Sequence, residues 1–125
     1  MFKILSIGFG GFLGAVSRYL MSGLVHKILA NPWFPYGTFA VNILGCLFIG
    51  FLSGLAESRQ VLPTELRMFL LIGFLGSFTT FSTFGYETFS FMRDGQMLSA
   101  LLNILLQIIV GLGAVWTGTV LARYI

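Results

Sequence analysis

The sequence predicts an all-α integral membrane protein with four transmembrane helices per chain, and three observations carry that prediction. Hydrophobic residues make up 57% of the 125 residues and charged residues only 9%, where a soluble domain carries about 25% charged residues. The charges divide the chain into four apolar stretches, each near the ~20 residues that a helix needs to cross a ~30 Å hydrocarbon core. The connections between the stretches are short and rich in Pro, Gly and polar residues. Seven basic and four acidic side chains cannot cover a water-facing surface, which excludes a soluble globular, fibrous or disordered chain.

The first span runs from about Ile4 to Val25 and is interrupted only by Arg18. The second runs from about Tyr36 to Ala56 with no charge. The third runs from about Met68 to Met92 with Glu87 as its sole charge, and the fourth from about Met97 to Ala122, again uncharged. A helix satisfies its own backbone, so it is the element that crosses lipid in a chain of this pattern. The first joint, Asn31-Pro32-Trp33-Phe34-Pro35-Tyr36, holds two prolines that oppose helix and two aromatic residues suited to the headgroup layer. The second passes from Glu57-Ser58-Arg59-Gln60 to Pro63-Thr64-Glu65, where Pro and Glu suit a first helical turn. The third, Arg93-Asp94-Gly95-Gln96, is a tight polar turn. Lys3 before an apolar stretch has the outline of a signal peptide, but Arg18 and Tyr19 interrupt the cleavage region and no A-x-A pattern follows, so the first span is expected to be retained.

Several functions are excluded at this level. The pI of 9.4 comes from a net charge of only +3 with no basic cluster, which argues against a nucleic-acid binder. A single cysteine, Cys46, forms no intrachain disulfide and no cysteine metal site. The one histidine, His26, lies at a span end, so neither a Ser–His nucleophile nor a histidine metal site is expected, and the chain is read as no enzyme.

With four spans both termini and the middle loop share one side, with Lys3, Arg59, Arg67 and Arg123. Lys27 and Arg93 lie on the other, joined by Arg18 if it sits near the boundary. That bias is weak by the positive-inside rule. It is compatible with one modest preference or with insertion in both orientations and antiparallel self-pairing. Four helices alone leave little room for a polar path, so oligomerisation is expected. The G-x-x-x-G pairs Gly10/Gly14 and Gly50/Gly54 are candidate close-approach faces for it.

Polar residues in lipid mark the candidate site. On the second span Thr38, Asn42, Cys46 and Ser53 share a stripe, and on the fourth Asn103, Gln107, Gly111, Ala114 and Gly118 do. Asn42 is read as pore-facing, while the stripe on the fourth span suits either a pore or interhelical hydrogen bonds. The third span holds the densest signal, from Gly73 to Gly85, with three threonines and two serines. Two readings stand here: a helix broken near Gly76 to Thr80, with carbonyls freed for a small cation, or an intact helix whose hydroxyls bond the preceding turn. Phe81 and Phe84 share a face, and aromatic ring edges present positive potential to an anion. Hydroxyls and the Asn amide NH₂ are the donors that replace an anion's water. Arg18 is placed to concentrate anions at a vestibule, or to pair with Glu87 or snorkel to the interface.

The run Gly76-Ser77-Phe78-Thr79-Thr80-Phe81-Ser82-Thr83-Phe84 resembles the signature of the CrcB/Fluc family of fluoride channels. Gly37-Thr38 with Asn42 and Gly45 is similar to the family's second-helix pattern, and Gly14-Ala15-Val16-Ser17-Arg18-Tyr19 to its first. The resemblance covers essentially the whole chain. It implies a fluoride-selective channel that passively exports cytoplasmic fluoride and confers fluoride resistance. It further implies an antiparallel, dual-topology homodimer with two pores in the bacterial inner membrane, and a third helix broken mid-membrane. Carried over by position, the pore phenylalanines fall on Phe81 and Phe84, the pore asparagine on Asn42 and the vestibule arginine on Arg18. Ser82, Thr83 and Thr38 fall near the pore. A structural sodium ion on the dimer axis would be held by the backbone carbonyls of Gly76 and Thr79. Ser77 departs from the glycine often found after Gly76, and Asn103 and Gln107 have no firm match. The alternative is a small multidrug-exporter-like four-span transporter. Such a protein needs an embedded carboxylate, and here only Glu87, near the end of the third span, offers one. Cation efflux by a Glu87→Gln variant separates the two readings.

Overall fold

The computed structural model describes residues 1–29, 33–59 and 63–124. Asn31, Pro32 and Gln60 of the expected joints lie outside them. The described chain is all-helical. Helix α1 (Phe2–Ile28) is followed by α2 (Tyr36–Arg59). A continuous helical run then passes from α3 (Thr64–Arg67) through a π-wound stretch (Met68–Leu75) into α4 (Gly76–Phe78). After two extended residues come α5 (Phe81–Arg93) and α6 (Met97–Ala122). Four helical stretches among these residues are long and apolar enough to cross a membrane, the third being the interrupted one over Thr64–Arg93. The fourth span coincides with the expected boundaries. The others begin or end up to four residues beyond them, because helical geometry runs on into polar flanks where hydropathy falls.

The spans pack mainly as two pairs, α1 against the π-wound stretch and α2 against α6. Both pairs depend on glycine. Gly10 and Gly14 lie against the backbone of Phe69, Gly73 and Phe74, and a Cβ on Gly14 would sit 2.9 Å from the carbonyl carbon of Phe74. On the other pair, Gly50 lies against Val115, and Gly118 so close to α2 that an added Cβ would sit 2.7 Å from the Phe51 nitrogen. Both G-x-x-x-G pairs expected to serve oligomerisation are therefore occupied within the chain. The spacing marks a face where backbones meet, and says nothing about which helix supplies the other backbone.

A small core of Val41, Leu75 and Phe78, with Met21, Leu44, Leu71 and Phe74 packed on it, joins α1, α2 and the first half of the third span. Phe74 and Phe78 stack with ring centroids 5.8 Å apart. This core lies next to the interruption. Phe9 and Phe12 on α1, with Ile108, Ile109, Leu112 and Trp116 on α6, point outward, as lipid-facing residues do. The α5–α6 connection is the expected tight turn. Gly95 takes φ +74°, with hydrogen bonds from the Gly95 N–H to the Met92 carbonyl and from the Gln96 N–H to the Phe91 carbonyl. That pattern is the Schellman motif, and it selects glycine for its left-handed residue.

Candidate functional site

The site is built on the interruption. Thr79 (φ −84°, ψ 162°) and Thr80 (φ −151°, ψ 113°) are extended, so the helix stops after Phe78 and restarts at Phe81. In an unbroken helix the Thr80 N–H would bond the Gly76 carbonyl. Here it donates instead to Asn42 Oδ1 at 2.8 Å. The Asn42 amide nitrogen donates to the Thr80 carbonyl at 3.1 Å and to Gln107 Oε1 at 3.2 Å. One side chain of α2 thus reaches both backbone groups of Thr80 and replaces the bond that its N–H gives up. The Thr80 hydroxyl caps α5, accepting from the Thr83 N–H at 3.2 Å and donating to Thr83 Oγ1 at 2.9 Å. Ser82 Oγ lies 3.4 Å from the same hydroxyl. The carbonyl of Thr79 accepts from Arg18 Nη1 at 3.2 Å. Arg18 thus turns one guanidinium N–H to the break.

Two cavities meet at Thr80, which lines both. The first, of about 600 Å³, lies between α1, α2 and α5 and is lined by Arg18, Ser22, His26, Thr38, Thr83 and Glu87 among others. Thr38 is 4% exposed and donates to Glu87 Oε1 at 2.6 Å, while Glu87 Oε2 is buried without a partner among the described residues. Among the described residues Arg18 and Glu87 form no ion pair. The second cavity, of about 360 Å³, is lined by Asn42, Gly76, Thr79, Phe81, Phe84 and Gln107, with Cys46 on its wall. Phe81 and Phe84 meet with ring centroids 5.6 Å apart, and Phe81 is 82% exposed on the outer surface of the chain.

The candidate residues from the sequence therefore divide. Arg18, Thr38 and Thr83 line the first cavity. Asn42, Gly76, Thr79, Phe81 and Phe84 line the second. Ser82 is exposed beside them and lines neither of the two. The Asn42 amide, read as a free donor, has its N–H groups on the Thr80 carbonyl and Gln107. Sequence reasoning did not single out Thr80, the residue on which the site turns. The Thr79-Thr80 pair was visible, but not which of the two would be gripped. Nor did it see that Gln107 completes the Asn42 contact, or that Thr88 and the fully buried Asn103 pair at 2.9 Å behind α5. The stripe on the fourth span was the available signal for both.

Residues 5–119 match the family described as CrcB-like protein, Camphor Resistance (CrcB). The fluoride-specific ion channel FluC of Geotalea daltonii is 46% identical over all 125 residues, with the full length of both chains covered. The FluC of Geobacter metallireducens is 42% identical over the full length of both. That of Maridesulfovibrio salexigens is 45% identical over all of this chain and 98% of its own. Four spans with T-T-F-S-T-F at the break, and these matches along their whole length, place the chain in the CrcB family of multi-pass membrane proteins.

Proposed function

We propose that the chain is a fluoride-selective channel that exports cytoplasmic fluoride passively, without coupling to protons or nucleotide. The relatives of matching length are named fluoride-specific ion channels. The observation that carries the reading is the interruption at Thr79 and Thr80, beside a cavity walled by Phe81 and Phe84. Polar backbone at membrane depth is tolerated where it is buried in protein or lines a water-filled path. Ser82, Thr83, Gly76 and Phe81 are all exposed on the single chain, so lipid is the wrong neighbour for this face. A second copy is the cover we propose, as an antiparallel, dual-topology homodimer with two pores in the bacterial cytoplasmic membrane.

The route begins in the cavity holding Arg18, where a cation raises the local anion concentration. The Thr83 hydroxyl on this cavity's wall and Ser82, exposed beside it, replace water, while the O–H of Thr38 is committed to Glu87. The ring edges of Phe81 and Phe84 carry the dehydrated ion past the break. HF crosses bilayers uncharged and releases F⁻ inside. An inside-negative potential then drives the anion out by ~2.3 kcal/mol per 100 mV.

A sodium ion on the dimer axis fits the residues present. The Gly76 carbonyl has lost the Thr80 N–H to Asn42, and the Thr79 carbonyl accepts one guanidinium N–H and keeps a second lone pair. These two carbonyls from each copy would hold it, and the ion would supply a fixed positive charge tying the two breaks together. The test of the function is release of fluoride, recorded with an ion electrode, from liposomes containing only the purified protein. Fluoride release above protein-free liposomes is expected, and none would refute the reading.

A further inference from the structure

We infer that Thr80 is a positioning residue for the ion route: its hydroxyl fixes which way the Thr83 hydroxyl turns its hydrogen, and the break in the helix is what leaves that hydrogen free. The inference rests on the fluoride-channel reading and deepens it. A threonine on a helix can spend its O–H on the carbonyl four residues back. Thr79, Thr88, Thr117 and Thr119 all do so, donating to the carbonyls of Leu75, Phe84, Gly113 and Val115 at 2.8–3.0 Å. Thr83 stands in the first turn of α5, and the carbonyl four residues back from it belongs to Thr79, which is extended and holds the Arg18 guanidinium. Among the described residues the Thr83 hydroxyl makes no bond to that carbonyl. Its one partner there is the Thr80 hydroxyl, 2.9 Å away.

Hydroxyl hydrogens rotate to suit their neighbours, so burial decides the direction of this pair. Thr80 is 8% exposed, and a buried O–H calls for an acceptor. Thr83 Oγ1 at 2.9 Å is the nearer of the two hydroxyl oxygens it reaches, Ser82 Oγ lying at 3.4 Å. Thr83 by contrast is exposed and lines the cavity that holds Arg18, where its own hydrogen can meet water or an ion. The pair therefore runs one way: Thr80 donates, Thr83 accepts, and the Thr83 hydrogen is left for the route. Were the helix unbroken, that hydrogen would go to the carbonyl of Thr79, and an approaching anion would meet lone pairs. Asn42 holds the Thr80 backbone and Thr80 holds Thr83, so the donor is oriented before the ion arrives.

The experiment is a double-mutant cycle on fluoride release from liposomes at neutral pH, with protein-free liposomes subtracting HF leakage and elution in detergent checking each variant. Thr83→Val keeps the shape without the O–H, and flux should fall about tenfold. Thr80→Val removes the hydroxyl that orients Thr83 and should lower flux about as far. Thr80→Ser keeps a hydroxyl and should restore most of what Thr80→Val loses. The double variant decides between positioning and bare structure. If Thr80 acts through Thr83, adding Thr80→Val to Thr83→Val should cost less than about a further twofold, whereas independent losses would multiply to about a hundredfold. Multiplied losses, undiminished flux in Thr83→Val, or no recovery in Thr80→Ser would each overturn the inference while leaving the channel reading intact. Silence of the unaltered protein would instead defeat the channel reading. Should Thr80→Val elute differently, Thr80→Cys, whose thiol is a weak donor, takes its place in the cycle and the same outcomes decide.

Discussion

At the scale of single residues, the site is a set of backbone groups held open by side chains. Asn42 reaches both the N–H and the carbonyl of Thr80, and the Thr80 N–H has no helical partner to return to unless the break closes. Asn42→Leu should therefore either collapse the break or leave the buried Thr80 N–H unpaired, at a cost of about 1–3 kcal/mol. The expected result is fluoride flux reduced at least tenfold (~1.4 kcal/mol of barrier) together with a lower unfolding midpoint in detergent. Asn42→Asp keeps the acceptor for the Thr80 N–H but sets a negative charge against the Thr80 carbonyl and Gln107 Oε1, and should also impair flux. Phe81 differs in kind. It is 82% exposed on the single chain and packs against little but Phe84. Phe81→Ile should leave folding and oligomeric state unchanged, as read by elution volume, while flux falls roughly tenfold or more through loss of the ring edge. Thr38→Val removes the hydrogen bond to Glu87 Oε1. With Oε2 already without a partner, it should lower thermal stability by about 1–3 kcal/mol.

At the scale of elements, glycine decides how the spans meet. Gly14 faces the Phe74 backbone and Gly118 faces the backbone of Leu47 and Phe51, so Gly14→Leu or Gly118→Val must force helices apart. Overpacking of that kind costs about 1–3 kcal/mol. Gly8→Ala, with open space around its Cβ position, should be neutral or should stabilise α1 by up to ~1 kcal/mol through helix preference. Unfolding midpoints in detergent measure both. The same contacts show what was legible beforehand. The span count and the fourth span's limits follow from hydropathy and charge alone. The Arg93–Gln96 turn follows from Gly95. The partner of each G-x-x-x-G face does not, because spacing encodes a flat surface and the matching surface lies on another helix. The π winding over Met68–Leu75 leaves no mark in that run of residues. Gly10, Gly14 and Gly73 bring the α1 backbone against it. The interruption was visible as crowded threonines and glycines, but its position depends on Asn42, 38 residues earlier in the chain. A local reading of the third span left an intact helix open for that reason.

At the scale of the whole molecule, the single chain presents a surface that lipid cannot satisfy. Ser82, Thr83 and Gly76 are exposed in the middle of the third span. The α6 face carrying Ile108, Ile109, Leu112 and Trp116 is purely apolar. The proposed antiparallel pairing places the polar face of one copy against another and leaves the apolar face to lipid. It requires insertion in both orientations. A Cys46→Ser chain carrying Lys3→Cys should then be labelled to roughly half by an impermeant maleimide added outside intact cells, as the weak charge bias permits. Labelling of nearly all or nearly none of the chains would rule out dual topology. Replacing sodium by a large organic cation should raise dimer dissociation in detergent if the Gly76 and Thr79 carbonyls hold the ion. Unchanged dissociation would remove the cation from the account. The central claim, that an aromatic-walled break conducts a small anion and discriminates against a larger one, is tested most directly by electrodes recording F⁻ and Cl⁻ together from liposomes containing this protein alone. Rapid fluoride release with chloride retained is the result predicted here. Chloride released as readily as fluoride, or release of neither ion, would contradict it.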